Sequence, residues 1–374
     1  MKTQHFPRSL VLTALIVASL LLGACGSVGP SATEPSPTAA SGSGNIVVVD
    51  AQDRRVEFGT PPQRIVVAGK ASLTIVGALY LFPEASERLT GLVVGRQNPG
   101  DFLRFVDPTF EQKTVLEVEA GPEQIAPLKP DVVVMRSFMA EKLGRPLEQV
   151  DIPVIYVDLE TPEQYMRDIM TLGQLLANEE RATEIQAFYQ ARMDDVQNGV
   201  QGLGDEAKPR TLIMQYSEQG GEAAVSVPSA TWLQTMEAEI AGGIPIWKEA
   251  AQAGGWTVVN LEQIAAWNPE KIIVISYKAD PAEIADRLRA APQWQALDAA
   301  KNGQIYGFAG DIFSWDQPDP RWILGLSWLA KTLHPDRFAD LDIVEAASQF
   351  YSQMYGLDET AVQEHILPRL RGDF

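Results

Sequence analysis

Cysteine and histidine are scarce in this sequence of 374 residues, which holds one cysteine, Cys25, and three histidines, His5, His334 and His365. A lone cysteine excludes an internal disulfide. Three scattered imidazoles do not make the histidine-rich site expected of a protein that binds bare zinc or manganese. We therefore predict no metal site and no cofactor of the chain's own, and we expect any metal to arrive inside a chelate.

Basic runs and catalytic signatures are also missing. The formal net charge is −19, and no stripe of lysine and arginine is present to follow a phosphate backbone, which argues against nucleic acid as a partner. The sequence contains no Gly-x-Ser-x-Gly elbow and no phosphate-binding Gly-x-x-x-x-Gly-Lys loop. These absences predict a protein that is not an enzyme.

Long hydrophobic runs are limited to Leu10–Leu22, which is too short to span a bilayer comfortably. Lys2 and Arg8 precede this run, and small residues lead from it to Cys25. The order resembles a bacterial lipobox, so we predict a lipoprotein signal peptide over residues 1–24 and a lipid anchor on Cys25. The alternative is an ordinary secretory signal that happens to contain a cysteine.

Residues 25–44 are rich in serine, glycine and proline and have almost no large apolar side chain. This composition is typical of a flexible tether that holds a folded body away from a membrane surface. We therefore expect the rest of the chain to be extracytoplasmic and anchored by lipid to the bacterial cell membrane.

Short β-branched runs alternate with helical patterns on both sides of a long helical stretch. Thr161 and Asn178 each precede a helical pattern as capping residues, so this stretch divides into two helices. Alternating strands and helices favour parallel sheets with right-handed crossovers. We predict an α/β fold of two Rossmann-like lobes, with parallel sheets flanked by helices, over residues 45–177 and 204–374. One long helix over residues 178–203 joins them, and a ligand cleft lies between them.

The two predicted lobes share a sequence unit. Glu123–Val134 and Glu262–Ile273 begin with the same four residues, and each contains a proline followed by an acidic residue. Each unit predicts a helix, a turn at the proline and then a strand. The repeat indicates that the lobes are related to each other.

With these features the chain resembles the substrate-binding proteins of ATP-driven (ABC) importers, in the iron-complex, siderophore and cobalamin class, whose lobes are joined by a rigid helix. The resemblance covers about residues 63–338, and its further marks are Ala241-Gly242-Gly243 and Pro320-Arg321. It implies a monomer that captures a metal chelate, above all a ferric siderophore, and delivers it to an ABC permease with its ATPase. Cobalamin and haem are alternatives within the class, and a surface lipoprotein enzyme or adhesion module is the alternative outside it.

Members of this class grip arginines of the permease with one glutamate on each lobe. In the second lobe the resemblance nominates Glu237 and Glu239 for this role. In the first lobe Thr74 stands where the acid is expected, so Glu84 or Glu87 would have to substitute.

Ligands of open parallel sheets bind beyond the carboxyl ends of the strands. This rule nominates Lys70, Ser72, Arg96 and Arg136 in the first lobe, and Tyr216, Trp232, Tyr277 and Trp315 in the second. Arginine offers forked hydrogen bonds to carboxylates, and the aromatic residues offer large contact areas, so the set fits a bulky anion with flat surfaces. For a haem ligand, the axial candidates are Tyr277, Tyr216 and Met135.

Overall fold

A computed structural model of the chain describes residues 45–94, 100–219 and 222–374. The predicted signal peptide, Cys25, the tether and Arg96 lie outside these residues. Residues Ser43–Phe374 form one compact unit that holds both lobes. Within the described ranges, no helix is both long and apolar enough to cross a membrane.

The first lobe is an α/β layer structure built on apolar strands, such as a strand over Val132–Arg136 in which every residue is buried. Its strands are β1 (Ile46–Val49), β2 (Arg55–Phe58), β3 (Ile65–Val67), β4 (Leu89–Val93), β5 (Thr114–Leu116), β6 (Val132–Arg136) and β7 (Val154–Val157). β1 and β2 form an antiparallel hairpin, and the others form a parallel sheet in the order β5-β4-β3-β6-β7. Helices lie between these strands: α1 (Ser72–Leu79), α2 (Ala85–Arg88), α3 (Gly100–Val106), α4 (Pro122–Ile125) and α5 (Arg145–Glu148).

Two capped helices lead from the first lobe to the second. In α6 (Pro162–Leu176), the Thr161 side chain accepts a hydrogen bond of 3.2 Å from the amide of Gln164. In α7 (Glu179–Val200), the Asn178 side chain accepts one of 3.0 Å from the amide of Arg181. Each cap satisfies an amide that would otherwise lack a partner, so each helix begins where its capping residue stands.

The second lobe is built on a mixed sheet, not on the wholly parallel one that the strand–helix alternation predicted. Its strands are β8 (Arg210–Gln219), β9 (Glu222–Val227), β10 (Ile244–Pro245), β11 (Thr257–Val259), β12 (Lys271–Ile275) and β13 (Ile305–Gly307). β8, β12 and β13 are parallel, β10 runs parallel to the start of β8, and β9 and β11 are antiparallel to their neighbours. Only Gly220-Gly221 separates β8 from β9, and strands joined by so short a connection pair antiparallel.

Helices of the second lobe cover this sheet and extend beyond it. They are α8 (Leu233–Ile240), α9 (Leu261–Trp267), α10 (Pro281–Ala290), α11 (Asp298–Lys301), α12 (Trp322–Leu333), α13 (Ile343–Tyr355) and α14 (Glu359–His365). One hydrophobic core contains buried residues of the first sheet, of α7 and of the second sheet. The predicted α/β architecture of two lobes is therefore confirmed.

The repeated sequence unit has the same structural role in each lobe. The Asp131 carboxylate accepts a hydrogen bond of 2.9 Å from the amide of Arg64, and the Glu270 carboxylate accepts one of 2.7 Å from the amide of Arg210. In both lobes the acidic residue after the proline therefore fixes the start of the neighbouring strand, β3 or β8. This shared contact explains why the acid recurs at the same offset.

Candidate ligand-binding cleft

A cavity of about 330 Å³ lies where the two lobes face each other. The ends of the first-lobe strands form most of its wall, and a loop of the second lobe over residues 313–319 closes it. The lining residues are Gly69, Ala71, Ser72, Leu73, Thr74, Val93, Val118, Arg136, Glu160, Phe313, Gln317, Pro318 and Asp319. A larger cavity of about 570 Å³ beside Trp328 and Phe374 is lined by second-lobe residues only. The inter-lobe cavity is therefore the candidate site, because it lies beyond strand carboxyl ends and is shared by both lobes.

The connection between β3 and α1 points a helix amino terminus at this cavity. Gly69 has φ of +88° and Ala71 has φ of +54°, both in the left-handed region. A side chain at Gly69 would also bring its Cβ to 3.2 Å from the Met139 Cε, so the turn favours glycine. No side chain caps the first turn of α1, and no acidic residue stands in it. Its first amides therefore present partial positive charge to the cavity, beside the buried Ser72.

Arg136, the last residue of β6, supplies a full positive charge. Its side chain is 1% exposed, and it forms an ion pair with Glu160. Its Nη1 donates a hydrogen bond of 2.8 Å to the Thr74 hydroxyl, and its Nε has no hydrogen-bond partner among the described residues. Burial lowers the pKa of Arg136 to about 10, although Asp158 and Asp168 act to raise it, so the group is charged at neutral pH. The cavity thus combines a buried cation that has an unused donor with an uncapped helix terminus.

A comparison with known protein families identifies this two-lobe arrangement. The family model described as "Periplasmic binding protein" matches residues 101–311, which is more than half of the chain. The chain belongs to this family. Its members are the solute-binding proteins of ABC importers, so the resemblance inferred from the sequence is confirmed at the level of the family.

Individual relatives of this periplasmic binding protein are distant but match over most of their length. The molybdate-binding protein MolA of Haemophilus influenzae is 22% identical, over 83% of this chain and 90% of its own. The probable siderophore-binding lipoprotein YfiY of Bacillus subtilis is 23% identical, over 79% of this chain and 89% of its own. The Fe(3+)-citrate-binding protein YfmC of the same organism is 19% identical, over 81% and 90%. The crystal structure of a periplasmic solute binding protein from Veillonella parvula shares the fold, with a TM-score of 0.70, 22% identity and coverage of 86% and 97%.

Two of the predicted first-lobe residues line the cavity of the binding protein. Ser72 and Arg136 are in its wall, and their contact with a ligand stays a prediction. Lys70 is exposed on the same turn as Ser72, and its Nζ lies 3.8 Å from a carboxylate oxygen of Glu119. Arg96 lies outside the described residues. A ligand contact by Lys70 or Arg96 stays a prediction.

The four aromatic residues predicted in the second lobe do not line this cavity. The Tyr216 hydroxyl donates a hydrogen bond of 2.8 Å to Glu218, and Trp232 packs edge-on against Trp256 at 5.6 Å between ring centroids. The hydroxyl of the half-buried Tyr277 donates one of 2.8 Å to Asp316. Their contact with a ligand stays a prediction.

Trp315 has no exposed surface, because its loop folds back on itself. Its amide donates to the carbonyl of Ala309 at 3.2 Å, and its indole Nε1 donates to Asp311 at 3.1 Å. Met135, a candidate axial ligand of haem, is also completely buried. In this conformation the side chains of Trp315 and Met135 belong to the core. The residues of the loop that line the cavity are Phe313, Gln317, Pro318 and Asp319.

The two glutamates of the second lobe that were predicted to dock on a permease lie in different environments. Glu237 is completely buried, so it is not available to an arginine of a permease. It shares the buried face of α8 with Leu233 and Gln234, which are one turn away. Burial, and then repulsion from Asp316, raise the pKa of Glu237 well above its usual value. Glu239 is exposed and pairs with Lys248 at 2.5 Å, which leaves it as the docking candidate on this lobe.

In the first lobe the position expected to hold a docking acid belongs to the cavity instead. Thr74 lines the cavity and accepts the hydrogen bond from Arg136. Glu84 is half-buried and accepts a hydrogen bond of 2.7 Å from Asn178, whereas Glu87 is exposed in the first turn of α2. Glu87 is therefore the better placed of the two substitutes.

Glu160 and the second-lobe segment Gln317–Asp319 line the cavity but were not predicted from the sequence. Glu160 follows β7 closely, so the strand-end rule that selected Arg136 could also have selected it. The segment Gln317–Asp319 had no comparable signal, because its position depends on how the loop after β13 folds. The predicted residue Trp315 is close to this segment in the sequence, two residues before Gln317.

Proposed function

We propose that this periplasmic binding protein captures a compact, oxygen-rich anion in its inter-lobe cavity, above all a ferric chelate of the citrate or siderophore type. The observation that carries the proposal is Arg136, a fully buried guanidinium with an unused Nε donor in the wall of the cavity. Arginine binds carboxylates and similar planar anions through paired hydrogen bonds. Two relatives, YfiY and YfmC, carry siderophore and ferric citrate in their names and support this ligand class.

The size of the cavity favours small ligands within this class. Its volume of about 330 Å³ lies at the lower end of the range for small-molecule sites, about 300–1,000 Å³. Haem and cobalamin carry large macrocycles, so they fit this cavity less well than ferric citrate or a small siderophore does. A tetrahedral oxyanion such as molybdate is the second candidate, because the cavity is small and the relative MolA is named for binding it.

The proposal is tested by titration calorimetry on the protein from Gly44 onward, with ferric citrate, ferric siderophores, molybdate, haem and cyanocobalamin as separate ligands. We expect saturable binding of a ferric chelate. Arg136→Gln should weaken binding at least about 30-fold, or about 2 kcal/mol, because it removes a buried charged partner. The matched control is Arg145→Gln, since the Arg145 side chain is 66% exposed and pairs with Glu141 on the surface.

If molybdate is the only one of these ligands that binds, the ligand is molybdate and not a ferric chelate. Binding of haem or cobalamin alone would contradict the size argument. If none of the ligands binds, or if Arg136→Gln binds as tightly as the natural protein, the proposed site is wrong.

We further propose that Cys25 carries the lipid anchor and that exposed acids on each lobe, Glu239 and Glu87, engage the permease. Cys25→Ser should release the protein from the membrane fraction, which immunoblotting of fractionated cells detects. Glu239→Gln and Glu87→Gln should lower ligand uptake by cells while calorimetry shows unchanged binding. Uptake at the natural level in the double variant would contradict this docking assignment.

A further inference from the structure

The hydroxyl of Thr74 lies between the two features of the inter-lobe cavity that attract an anion, the Arg136 guanidinium and the start of α1. Thr74 is the third residue of α1, and its Oγ1 donates a hydrogen bond of 3.0 Å to the carbonyl of Ala71, the residue before the helix. The same oxygen accepts the hydrogen bond of 2.8 Å from Arg136 Nη1. Two consecutive hydrogen bonds therefore connect the guanidinium at the end of β6 to the turn that starts α1.

The local sequence accounts for the position of this hydroxyl. The Oγ1 of a helical threonine is able to bond a carbonyl three or four residues earlier, and Ala71 stands three residues before Thr74. A hydroxyl has one proton and two lone pairs, and the bond to Ala71 uses the proton. The oxygen is thus left to accept from Arg136, and it offers no donor of its own to a ligand.

The contacts of Arg136 leave one side of its guanidinium for a ligand. Nη1 is directed to Thr74 and Nη2 to Glu160, whereas Nε has no hydrogen-bond partner among the described residues. The first amides of α1 are also available, because no side chain caps this turn. Ser72, the first residue of the helix, is buried in the same wall. An unused donor of a buried cation and an uncapped helix start therefore belong to one wall of the cavity.

We propose that Thr74 is a positioning residue that holds Arg136 against the start of α1, so that Arg136 Nε and the first amides of the helix bind one carboxylate group of the ligand together. This inference rests on the proposed capture of a ferric chelate, with ferric citrate as the carboxylate-bearing case. The two oxygens of a carboxylate accept several hydrogen bonds, and donors that are already ordered lose less conformational entropy on binding. Without the hydroxyl, Nη1 would be buried without a partner, and the guanidinium would no longer be fixed beside the helix.

The test is titration calorimetry of the protein from Gly44 onward with ferric citrate. Thr74→Val keeps the shape of the side chain and removes the hydroxyl, so we expect affinity to fall about tenfold. Thr74→Ser keeps the hydroxyl and should bind within about twofold of the natural protein. Thr74→Ala removes the same hydroxyl and takes the place of Thr74→Val if the valine variant does not fold.

The matched control is Thr183→Val. The Thr183 hydroxyl donates a hydrogen bond of 2.9 Å to the carbonyl of Glu179, so it makes the same kind of bond within a helix, on an exposed part of α7. Thr183→Val should bind ferric citrate like the natural protein.

A double variant separates positioning from a direct effect of Thr74 on the ligand. Because Thr74 acts through Arg136, Thr74→Val combined with Arg136→Gln should bind as Arg136→Gln alone does. Weaker binding by the double variant would overturn the positioning role, and so would a Thr74→Val variant that binds like the natural protein. A Thr74→Ser variant as weak as Thr74→Val would also overturn it, because the hydroxyl would then not be the group that matters. These three results leave the proposed function intact, whereas a natural protein that does not bind ferric citrate would remove both this inference and the part of the proposed function on which it rests.

Discussion

Arg136 and Glu160 form an ion pair in the cavity wall, and its two members differ greatly in exposure. The Arg136 side chain is 1% exposed and the Glu160 side chain is 43% exposed. The arginine is therefore held in place by the lobe, while the glutamate is able to turn towards solvent. Under the proposed function, Glu160 competes for the charge of the Arg136 guanidinium with an anionic ligand that binds its unused Nε donor.

Glu160→Gln should therefore bind the anionic ligand more tightly. Removing a half-exposed negative charge next to the bound anion should raise affinity about tenfold, or about 1.4 kcal/mol, after screening by solvent. Titration calorimetry of the variant against the ferric chelate measures the change. Glu163→Gln, an exposed acid one turn away, is the control and should bind like the natural protein. Unchanged or weaker binding by Glu160→Gln would show that Glu160 does not compete with the ligand.

Asp107 is a second residue of the first lobe whose negative charge stabilises the fold. Its Oδ2 accepts a hydrogen bond of 2.6 Å from the Tyr80 hydroxyl and lies 3.1 Å from the Lys113 Nζ. Its Oδ1 accepts hydrogen bonds from the amide and the hydroxyl of Thr109 at 2.8 and 2.7 Å. Burial alone would raise the pKa of Asp107, but these hydrogen bonds outweigh it and hold the pKa below the usual 3.8.

Asp107→Asn should lower the free energy of unfolding by about 2–4 kcal/mol at neutral pH. The buried Lys113 loses its only carboxylate partner among the described residues and keeps only the carbonyls of Ser86 and Leu89. A carboxyl group whose pKa is lowered by folding stabilises the protein above its unfolded pKa and loses this effect as the pH falls through the folded pKa. The difference in free energy of unfolding between Asp107→Asn and the natural protein should thus be constant near neutral pH and shrink below about pH 4. Urea unfolding across this pH range measures it. A difference that persists undiminished in acid would exclude the charge as its source.

At the level of single residues, the strand-end rule located some residues of the cavity wall and not others. Ser72 and Arg136 were predictable because the ends of parallel strands meet at one edge of the sheet. Trp315 and Glu237 were not, because their burial depends on how a loop folds and on which face of α8 meets the sheet. A sequence with one tryptophan or one glutamate at such a position gives no signal that distinguishes a core role from an exposed one.

Among the elements, α13 joins parts of the structure that are far apart in the sequence. Tyr351 accepts a hydrogen bond of 2.6 Å from Arg321 Nε, and the Tyr355 ring meets the ring of Phe102 from the first lobe at 5.1 Å. The Arg321 guanidinium lies 4.4 Å from the centre of the Phe102 ring and donates a hydrogen bond of 2.6 Å to Asp319. We call Phe102, Asp319, Arg321, Tyr351 and Tyr355 the inter-lobe brace. It connects α3, α13 and the loop that lines the cavity.

Arg321→Lys should destabilise the protein in spite of keeping the charge. Lysine cannot reach Asp319 and Tyr351 together or stack on Phe102, so we expect a loss of about 3–5 kcal/mol in the free energy of unfolding. Ligand affinity should fall too, because Asp319 lines the cavity. Denaturant unfolding and titration calorimetry measure the two effects.

The comparison variant within the brace is Tyr355→Phe, which keeps the aromatic ring and removes the hydroxyl, whose hydrogen bond to the carbonyl of Gly77 is long at 3.3 Å. It should cost about 1 kcal/mol or less and leave affinity unchanged. Equal stability of Arg321→Lys and the natural protein would mean that the brace contributes packing alone.

The elements themselves were largely predictable from sequence, because their signals are local. The caps Thr161 and Asn178 stand at the starts of α6 and α7, and the repeated Pro-acid unit precedes β6 and β12. β9 and β11 were missed, although Gly220-Gly221 is a hairpin signal, because alternating strands and helices elsewhere favoured parallel pairing throughout. The inter-lobe brace was beyond prediction, since it unites residues from three separate parts of the chain.

For the whole molecule, the connection between the lobes determines how far they move when ligand binds. α7 has 22 residues and is therefore about 33 Å long at 1.5 Å per residue. It is anchored near its start, where Arg181 donates to the carbonyl of Gln353 at 2.8 Å, and at its middle, where the Tyr189 hydroxyl donates to the carbonyl of Pro320. The inter-lobe brace holds the lobes together at a second place. Two separate connections oppose a wide hinge motion.

We therefore expect ligand binding to change the overall dimensions very little. The radius of gyration of the body from Gly44 onward should be about 20 Å, and saturating ferric chelate should change it by less than about 5%. Small-angle X-ray scattering with and without the ligand measures this. Phe102→Leu loosens the first-lobe side of the brace while keeping an apolar side chain, so its ligand-induced change should be larger than that of the natural protein. A large compaction of the natural protein would show that neither α7 nor the brace limits the motion. If ligand changes the radius of gyration of Phe102→Leu no more than that of the natural protein, α7 alone provides the restraint.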